Sequence, residues 1–414
     1  MSHLGTTRVP VSIDFLDSPA VDAFGRLRTS HPAYIFDAQL TYDLQPLLFE
    51  AITAQSGASV AHSATNRNAL MTFSSTPNGG KAIMQTYEHF RYQPGRSQFI
   101  VVTFCFVEGK ANCVKFAGYS DGTNGIELQW YGSSTDSMRV IQYSGTDVGN
   151  VIQERGDWFD PMDGHGESRL SLDFTKQQIL MIDLQALYSG RVRLFFDVDG
   201  TMYKFCEFEN ADVYAGPYMQ TANLPIRCGM TCTGATSTTM TYTCCSVVSE
   251  GGQQNPAGYE FSVEGTATAG SGARTHILSV RPKTTFNSIA NRTKFVLESV
   301  SFLVTGVSPI KWELVIGQAI SGTTTYNDAN STYSGFEHNT AGTISGNPAL
   351  VIDSGYVAAS GASTGSASSM MDLRYPITLD AAGSVRALGT LSLIVTGIGG
   401  ASAMRASMNW REIR

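Results

Sequence analysis

Residues 173–208 read DFTKQQILMIDLQALYSGRVRLFFDVDGTMYKFCEF, and the fold of the whole chain turns on whether this run is strand. Val192, Leu194, Phe196 and Val198 alternate with Arg193, Phe195 and Asp197, the period of a strand with one buried face. The run stops at Asp199-Gly200, a dipeptide that readily takes the positive φ angles of a type I′ turn. The prediction is a two-residue hairpin in which Val198 pairs with Thr201, Phe196 with Tyr203 and Leu194 with Phe205. That register gathers the large apolar groups on one face and leaves Arg193, Asp197 and Lys204 on the other. Upstream, residues 177–187 contain good helix formers, but Leu180, Ile182 and Leu184 alternate, and strand is the preferred reading.

The composition agrees with a β protein. Only 15% of the 414 residues are charged and 41 are Gly, a balance suited to many tight turns. The length suffices for two or three domains, and two are expected. A net charge of -7 with no basic block gives no drive toward nucleic acid. No apolar run approaches the roughly 20 residues of a membrane helix, and the first residues lack the apolar centre of a signal peptide, so synthesis in the cytosol without membrane association is expected. Seven cysteines is an odd number, and reduced, buried thiols are expected. Cys228, Cys232, Cys244 and Cys245 lack the spacing of a zinc ribbon, and neighbours in a strand point to opposite faces.

Residues 1–39 are polar, broken by Pro10, Pro19 and Pro32, and carry scattered apolar residues. They read as an extended N-terminal arm. It either packs along its own domain or straps onto a neighbour, in which case Arg8, Phe15, Phe24, Arg26, Arg28 and Phe36 are the docking residues. Residues 83–92 and 97–107 read as strands joined by Gln93-Pro94-Gly95-Arg96, whose Pro-Gly pair suits a type II turn, and a hairpin is expected there. Residues 126–131 and 138–143 form a second such pair. This spacing predicts a first β-sandwich, of the jelly-roll or lectin-like kind, over residues 40–250. A shift to Gly, Gln, Asn and Pro between residues 247 and 260 marks the boundary of a second β-sandwich at residues 259–414, with strands expected at 276–280, 293–305, 311–318, 349–357 and 387–396. Long polar loops at 322–346 and 359–369 interrupt it.

Three stretches invite chemical readings. FFDVDGT, residues 195–201, resembles the nucleophile motif of haloacid-dehalogenase-type phosphotransferases. The resemblance implies that Asp197 attacks phosphorus and Asp199 protonates the leaving group, but the helix and acidic metal loop such chemistry requires do not follow. The loop at residues 158–169 collects Asp160, Asp163, His165 and Glu167, oxygen-rich enough for a hard cation or for a pair of glycosidase carboxylates. As an ordinary Asp/Gly turn it needs neither. Trp130 and Trp158 are candidates for stacking on a glycan, or else for the core. No cofactor and no metal is expected.

The segment VDAFGRLRTSHPAYIFDAQ, residues 21–39, resembles the opening of a family of virion structural proteins of tailed bacteriophages. YQPGRSQ (92–98), NGIEL (124–128), DGHGESRLSLD (163–173) and NLPIR (223–227) extend the resemblance over most of residues 20–250. It implies a non-enzymatic capsid decoration or accessory protein, assembled into virions in the bacterial cytoplasm. Its partners would be further copies of itself, as a homotrimer, and capsid or tail proteins. The alternatives are a tail or fibre protein that binds a host-surface carbohydrate and, further off, a hydrolase.

Overall fold

The computed structural model describes residues 31–185, 187–252, 258–322, 325–359 and 375–414. Arg8, Phe15, Phe24, Arg26 and Arg28 lie outside the described residues, as does most of the loop at 359–369. The protein is all-β. Among the described residues the only helical pieces are single 3-10 turns at Arg155–Asp157 and Ala387–Gly389, and none is long and apolar enough to cross a membrane.

The first domain contributes fifteen strands: β1 (Pro32–Gln39), β2 (Phe49–Ala54), β3 (Ala58–Ser63), β4 (Asn68–Thr76), β5 (Lys81–Thr86), β6 (Ser97–Cys105), β7 (Cys113–Ser120), β8 (Gly125–Trp130), β9 (Met138–Tyr143), β10 (Val151–Glu154), β11 (Gln178–Leu184), β12 (Val192–Val198), β13 (Thr201–Phe208), β14 (Ile226–Cys232) and β15 (Thr236–Glu250). They form two antiparallel sheets. One runs β13-β12-β11-β6-β15-β4-β3, with β1 also paired to β15; the other runs β10-β9-β8-β7-β14-β5-β2. Alternate residues of both sheets meet in one core that extends from Ala38 to Val247.

The predicted hairpin is β12-β13. Asp199 and Gly200 have φ of 53° and 84°, and Val198 pairs with Thr201 and Phe196 with Tyr203. Leu194 faces Cys206 instead of Phe205, because a β-bulge inserts Phe205 as an extra residue. The bulge turns both Phe205 and Cys206 inward, where Phe205 stacks on Phe196 with ring centroids 4.4 Å apart and meets the edge of Trp158 at 4.8 Å. Burying a side chain of this size stabilises by roughly 1.5–3 kcal/mol.

Two other expectations are corrected. The Pro94-Gly95 turn is present, with Gly95 at φ 84° and the Arg96 N–H donating to the Gln93 carbonyl at 3.2 Å, yet no hairpin surrounds it. β5 and β6 belong to opposite sheets, so the turn is a crossover between layers. Residues 32–39 are likewise part of the sandwich and not of an arm: β1 runs antiparallel to the second half of β15, and Phe36 packs against Phe49 and Phe90 at 6.1 and 4.9 Å. Phe36 is thus a contact within its own domain.

The second domain is a smaller sandwich. A three-stranded sheet has β23 (Ser402–Ile413) between β16 (Tyr259–Ala269) and β18 (Lys294–Val304). A six-stranded sheet contains, in order, the short strand Asn327–Asp328, β20 (Phe336–Asn339), β17 (Arg274–Pro282), β22 (Leu391–Gly397), β19 (Ile310–Ile316) and β21 (Leu350–Val357). Its core is a separate cluster from Val263 to Trp410.

Polar contacts join the domains. Lys294 meets Glu88 at 2.6 Å, Arg91 donates to the Arg414 carbonyl at 3.0 Å, the Ala381 N–H donates to Glu50 at 2.8 Å, and the Arg386 guanidinium lies 3.7 Å over the Tyr87 ring.

Candidate functional site

The loop at residues 158–169 is built around Arg155, which donates to the carbonyls of Pro161 (2.7 Å), Met162 (3.1 Å) and Thr135 (3.0 Å). Asp160 is buried, and its two carboxylate oxygens accept from the backbone N–H groups of Met162 (3.0 Å) and Ser168 (2.8 Å). Burial opposes its ionisation, but the Ser168 and Met162 donors prevail and hold its pKa below the ordinary carboxylate value. Asp163 accepts from the His165 N–H at 2.8 Å, which lowers its pKa in the same way. Both carboxylates are therefore ionised acceptors that clamp the loop backbone. Asp197 does the same at the hairpin, accepting from the Gly200 N–H at 3.0 Å, and the chain after Thr201 is strand.

The aromatic platform is also corrected. Trp130 and Trp158 are 2% and 4% exposed, and their indole N–H groups donate to the carbonyls of Ser134 (2.8 Å) and Gln153 (3.1 Å). Both belong to the core and neither is available to stack on a sugar. All seven cysteines are unpaired thiols, and among the described residues no group of His, Cys, Asp or Glu is arranged to hold a metal. In the second domain His276, Ser279 and Ser392 form a chain of 2.7 Å hydrogen bonds. All three are buried, so this Ser–His contact is closed to substrate.

Two polar assemblies escaped the sequence reading. On β8, Ile126, Leu128 and Trp130 face the core, so Glu127 and Gln129 face the other side of the sheet, yet both are buried. Glu127 accepts from Ser120 (3.0 Å), Gln129 (2.9 Å) and Tyr143 (3.3 Å), and lies 3.7 Å from Arg227. Gly118 stands between Glu127 and Arg227 in the ladder, where an added Cβ would meet the Ile126 carbonyl of the neighbouring strand, so the close approach of β7 and β8 at this point requires glycine. Arg139 extends the network by donating to Gln129 at 3.0 Å and lying 4.5 Å over the Tyr131 ring, whose hydroxyl donates to Glu154 at 2.9 Å. Burial, together with the Glu127 charge, pushes the Tyr143 phenol upward. The network presents one fully satisfied carboxylate, Glu127, at its centre and a second, Glu154, at its edge. These interlocked polar groups tie β7, β8, β9 and β14 together on this face of the sheet.

The second assembly is a cleft of about 350 Å³ lined by Tyr92, Gly95, Arg96, Ser97, Asp183, Gln185, Leu187, Arg191 and Arg193. Asp183 is held by Arg193, whose Nε donates at 2.9 Å, and by the Ser97 hydroxyl. Arg191 lies 3.2 Å from Glu207. Arg96 donates to the Gly252 carbonyl and meets no carboxylate among the described residues. The sequence signal for this cleft was YQPGRSQ together with the alternating Asp183 and Arg193 of paired strands.

Fold and site together define an all-β protein of two β-sandwich domains whose conspicuous carboxylates are engaged in holding the backbone. No protein-family model and no curated protein matches the sequence. Among solved structures the chain is similar to a β-1,3-glucanase from Mycobacterium marinum (9% identity, TM-score 0.37, 52% of this chain and 98% of that one) and to an endo-1,3-β-glucanase from Streptomyces sioyaensis (10%, 0.36, 54% and 98%). It is also similar to a conserved carbohydrate esterase from the Shiga toxin-encoding bacteriophage phi24B (12%, 0.32, 53% and 99%). Likenesses this distant carry no activity over to the present chain.

Proposed function

We propose that the chain is a non-enzymatic structural component of a tailed-phage particle, a decoration or accessory protein of the capsid that docks through the segment preceding β1. The observation that carries this reading is the use made of the motif residues. In the segments that resemble the phage virion family, Asn223 accepts from the Tyr92 N–H at 3.0 Å, Asn124 accepts from the Gln220 N–H at 2.8 Å, Asp163 clamps its loop, and Glu127 is tied to Arg227. Each is a joint of the sandwich, which is what a rigid building block requires and a reacting centre does not.

The docking role is assigned to Arg8, Phe15, Phe24, Arg26 and Arg28, because a Pro-broken segment with isolated Phe and Arg side chains cannot form a core of its own. The partners are further copies of the chain, as a trimer, and capsid or tail proteins. Light scattering of the full chain, repeated after removal of residues 1–30, tests this. The reading predicts a trimer that falls to monomer and is left out of particles. A monomeric full chain together with normal incorporation of the truncated one would overturn it, as would glycan hydrolysis abolished by Asp163→Asn.

A further inference from the structure

Apart from Tyr92, the lining of the cleft at the β6, β11 and β12 ends is spent neither on the core nor on the joints described above, and it is chemically uneven. Three guanidinium groups, Arg96, Arg191 and Arg193, share it with one carboxylate, Asp183. Arg193 and Asp183 compensate each other, and Arg191 is turned toward Glu207. Arg96 has spent an N–H on a neutral carbonyl and keeps its charge unmatched among the described residues. A guanidinium carries five N–H donors in a planar fork suited to a carboxylate, so the wall has donors to spare.

A site for a bare anion would not carry Asp183 in its wall, where its charge repels the ligand. A ligand bearing both a carboxylate and hydroxyl groups uses every group present. The guanidiniums grip its carboxylate, while Asp183, Ser97 and Gln185 accept from or donate to its hydroxyls. Leu187, 49% exposed, offers apolar surface to the C–H face of a ring. The volume of about 350 Å³ lies at the lower end of the range for small-molecule pockets.

We infer that this cleft binds a carboxylate-bearing sugar, a uronic-acid residue of an acidic polysaccharide, with Arg96 as the group that selects for the acid. This goes beyond the structural role proposed above and does not depend on it.

The test is calorimetric titration of the full chain with oligogalacturonate, with neutral galacto-oligosaccharide of the same length, and with inorganic phosphate as competitor. The expected result is binding of the acidic oligosaccharide at least tenfold tighter than the neutral one. Arg96→Gln and, independently, Arg191→Gln should each weaken it at least tenfold with an unchanged thermal transition. The pair keeps the test decisive should either variant misfold. Equal affinity for acidic and neutral sugars, no heat with either, or acidic-sugar binding unaffected by both substitutions would overturn the proposal. Displacement of the sugar by equimolar phosphate would overturn it too, by making the cleft a plain anion site.

Discussion

Replacing Asp160 with Ala separates a structural carboxylate from a reacting one. The side chain is buried and accepts two backbone N–H bonds, from Met162 and Ser168. Hydrogen bonds to a charged group contribute roughly 1.5–3 kcal/mol each. With part of that recovered by water entering the loop, a loss of about 3 kcal/mol is the working figure. For a domain of this size each kcal/mol is about 2–4 °C of melting temperature, so the first-domain transition should fall by about 6–12 °C in scanning calorimetry. Asp160→Asn should fall between the two, because its amide oxygen still accepts from one N–H while its NH₂ confronts the other. Carboxylates kept for chemistry behave oppositely, since their removal commonly leaves stability unchanged or raises it. An Asp160→Ala protein that melts at or above the parent temperature would refute the structural assignment.

Lys115 is 1% exposed and donates to the carbonyls of Phe106, Glu108 and Thr239 at 2.6, 2.8 and 2.7 Å; Lys115→Met strands three buried acceptors and should cost about 3 kcal/mol, read by urea denaturation. Gly200→Val places a β-branched residue at φ 84° and should lose roughly 1–3 kcal/mol, while Asp197→Asn keeps its acceptor and should stay within about 0.5 kcal/mol. Removing residues 1–38 instead of 1–30 deletes β1 and should lower the melting temperature, because the second half of β15 keeps only β6 beside it and Phe36 no longer packs against the core.

Alkali should destabilise the fold. Burial pushes the thiols of Cys113 and Cys245 up to about 12, so their stabilisation is complete below the unfolded value of about 8.5 and is lost as pH rises toward 12. Lys115, pushed down to about 8 by burial, works in the other direction between 8 and about 10.4, but it is one group against several. On the acid side, burial pushes His276 down to about 4, so its contribution is present above the unfolded value of about 6.5 and is lost as pH falls toward 4. Melting temperatures measured from pH 4 to 11 check both limbs.

The parts of the fold legible in the sequence are those where one local rule sufficed. Alternation and Asp199-Gly200 determine the β12-β13 turn, whereas the bulge at Phe205 depends on how Trp158 and Phe196 pack around it. Pro94-Gly95 announces a turn but not which sheet the next strand joins, so a crossover reads as a hairpin. Strands β16 and β23 are weakly marked in the sequence, because Val263 and Trp410 share their inward faces with Gly265, Ala267, Met404, Ala406 and Met408, small or helix-favouring residues that dilute the β signal. Lys115 was detectable in principle, since it takes the inward place between Cys113 and Ala117 in β7. Glu127 was not, because the burial of the second face of β8 comes from neighbours distant in sequence, Arg227 and Tyr143.

The proposal that this chain is a component of a tailed-phage particle is tested by expressing it with a tag during phage production and reconstructing the purified particles by cryo-EM. The account predicts density for both sandwiches, threefold arranged on the particle surface, with residues preceding β1 lying on a neighbouring protein. Particles complete without the chain, with the chain free in the lysate, would contradict it.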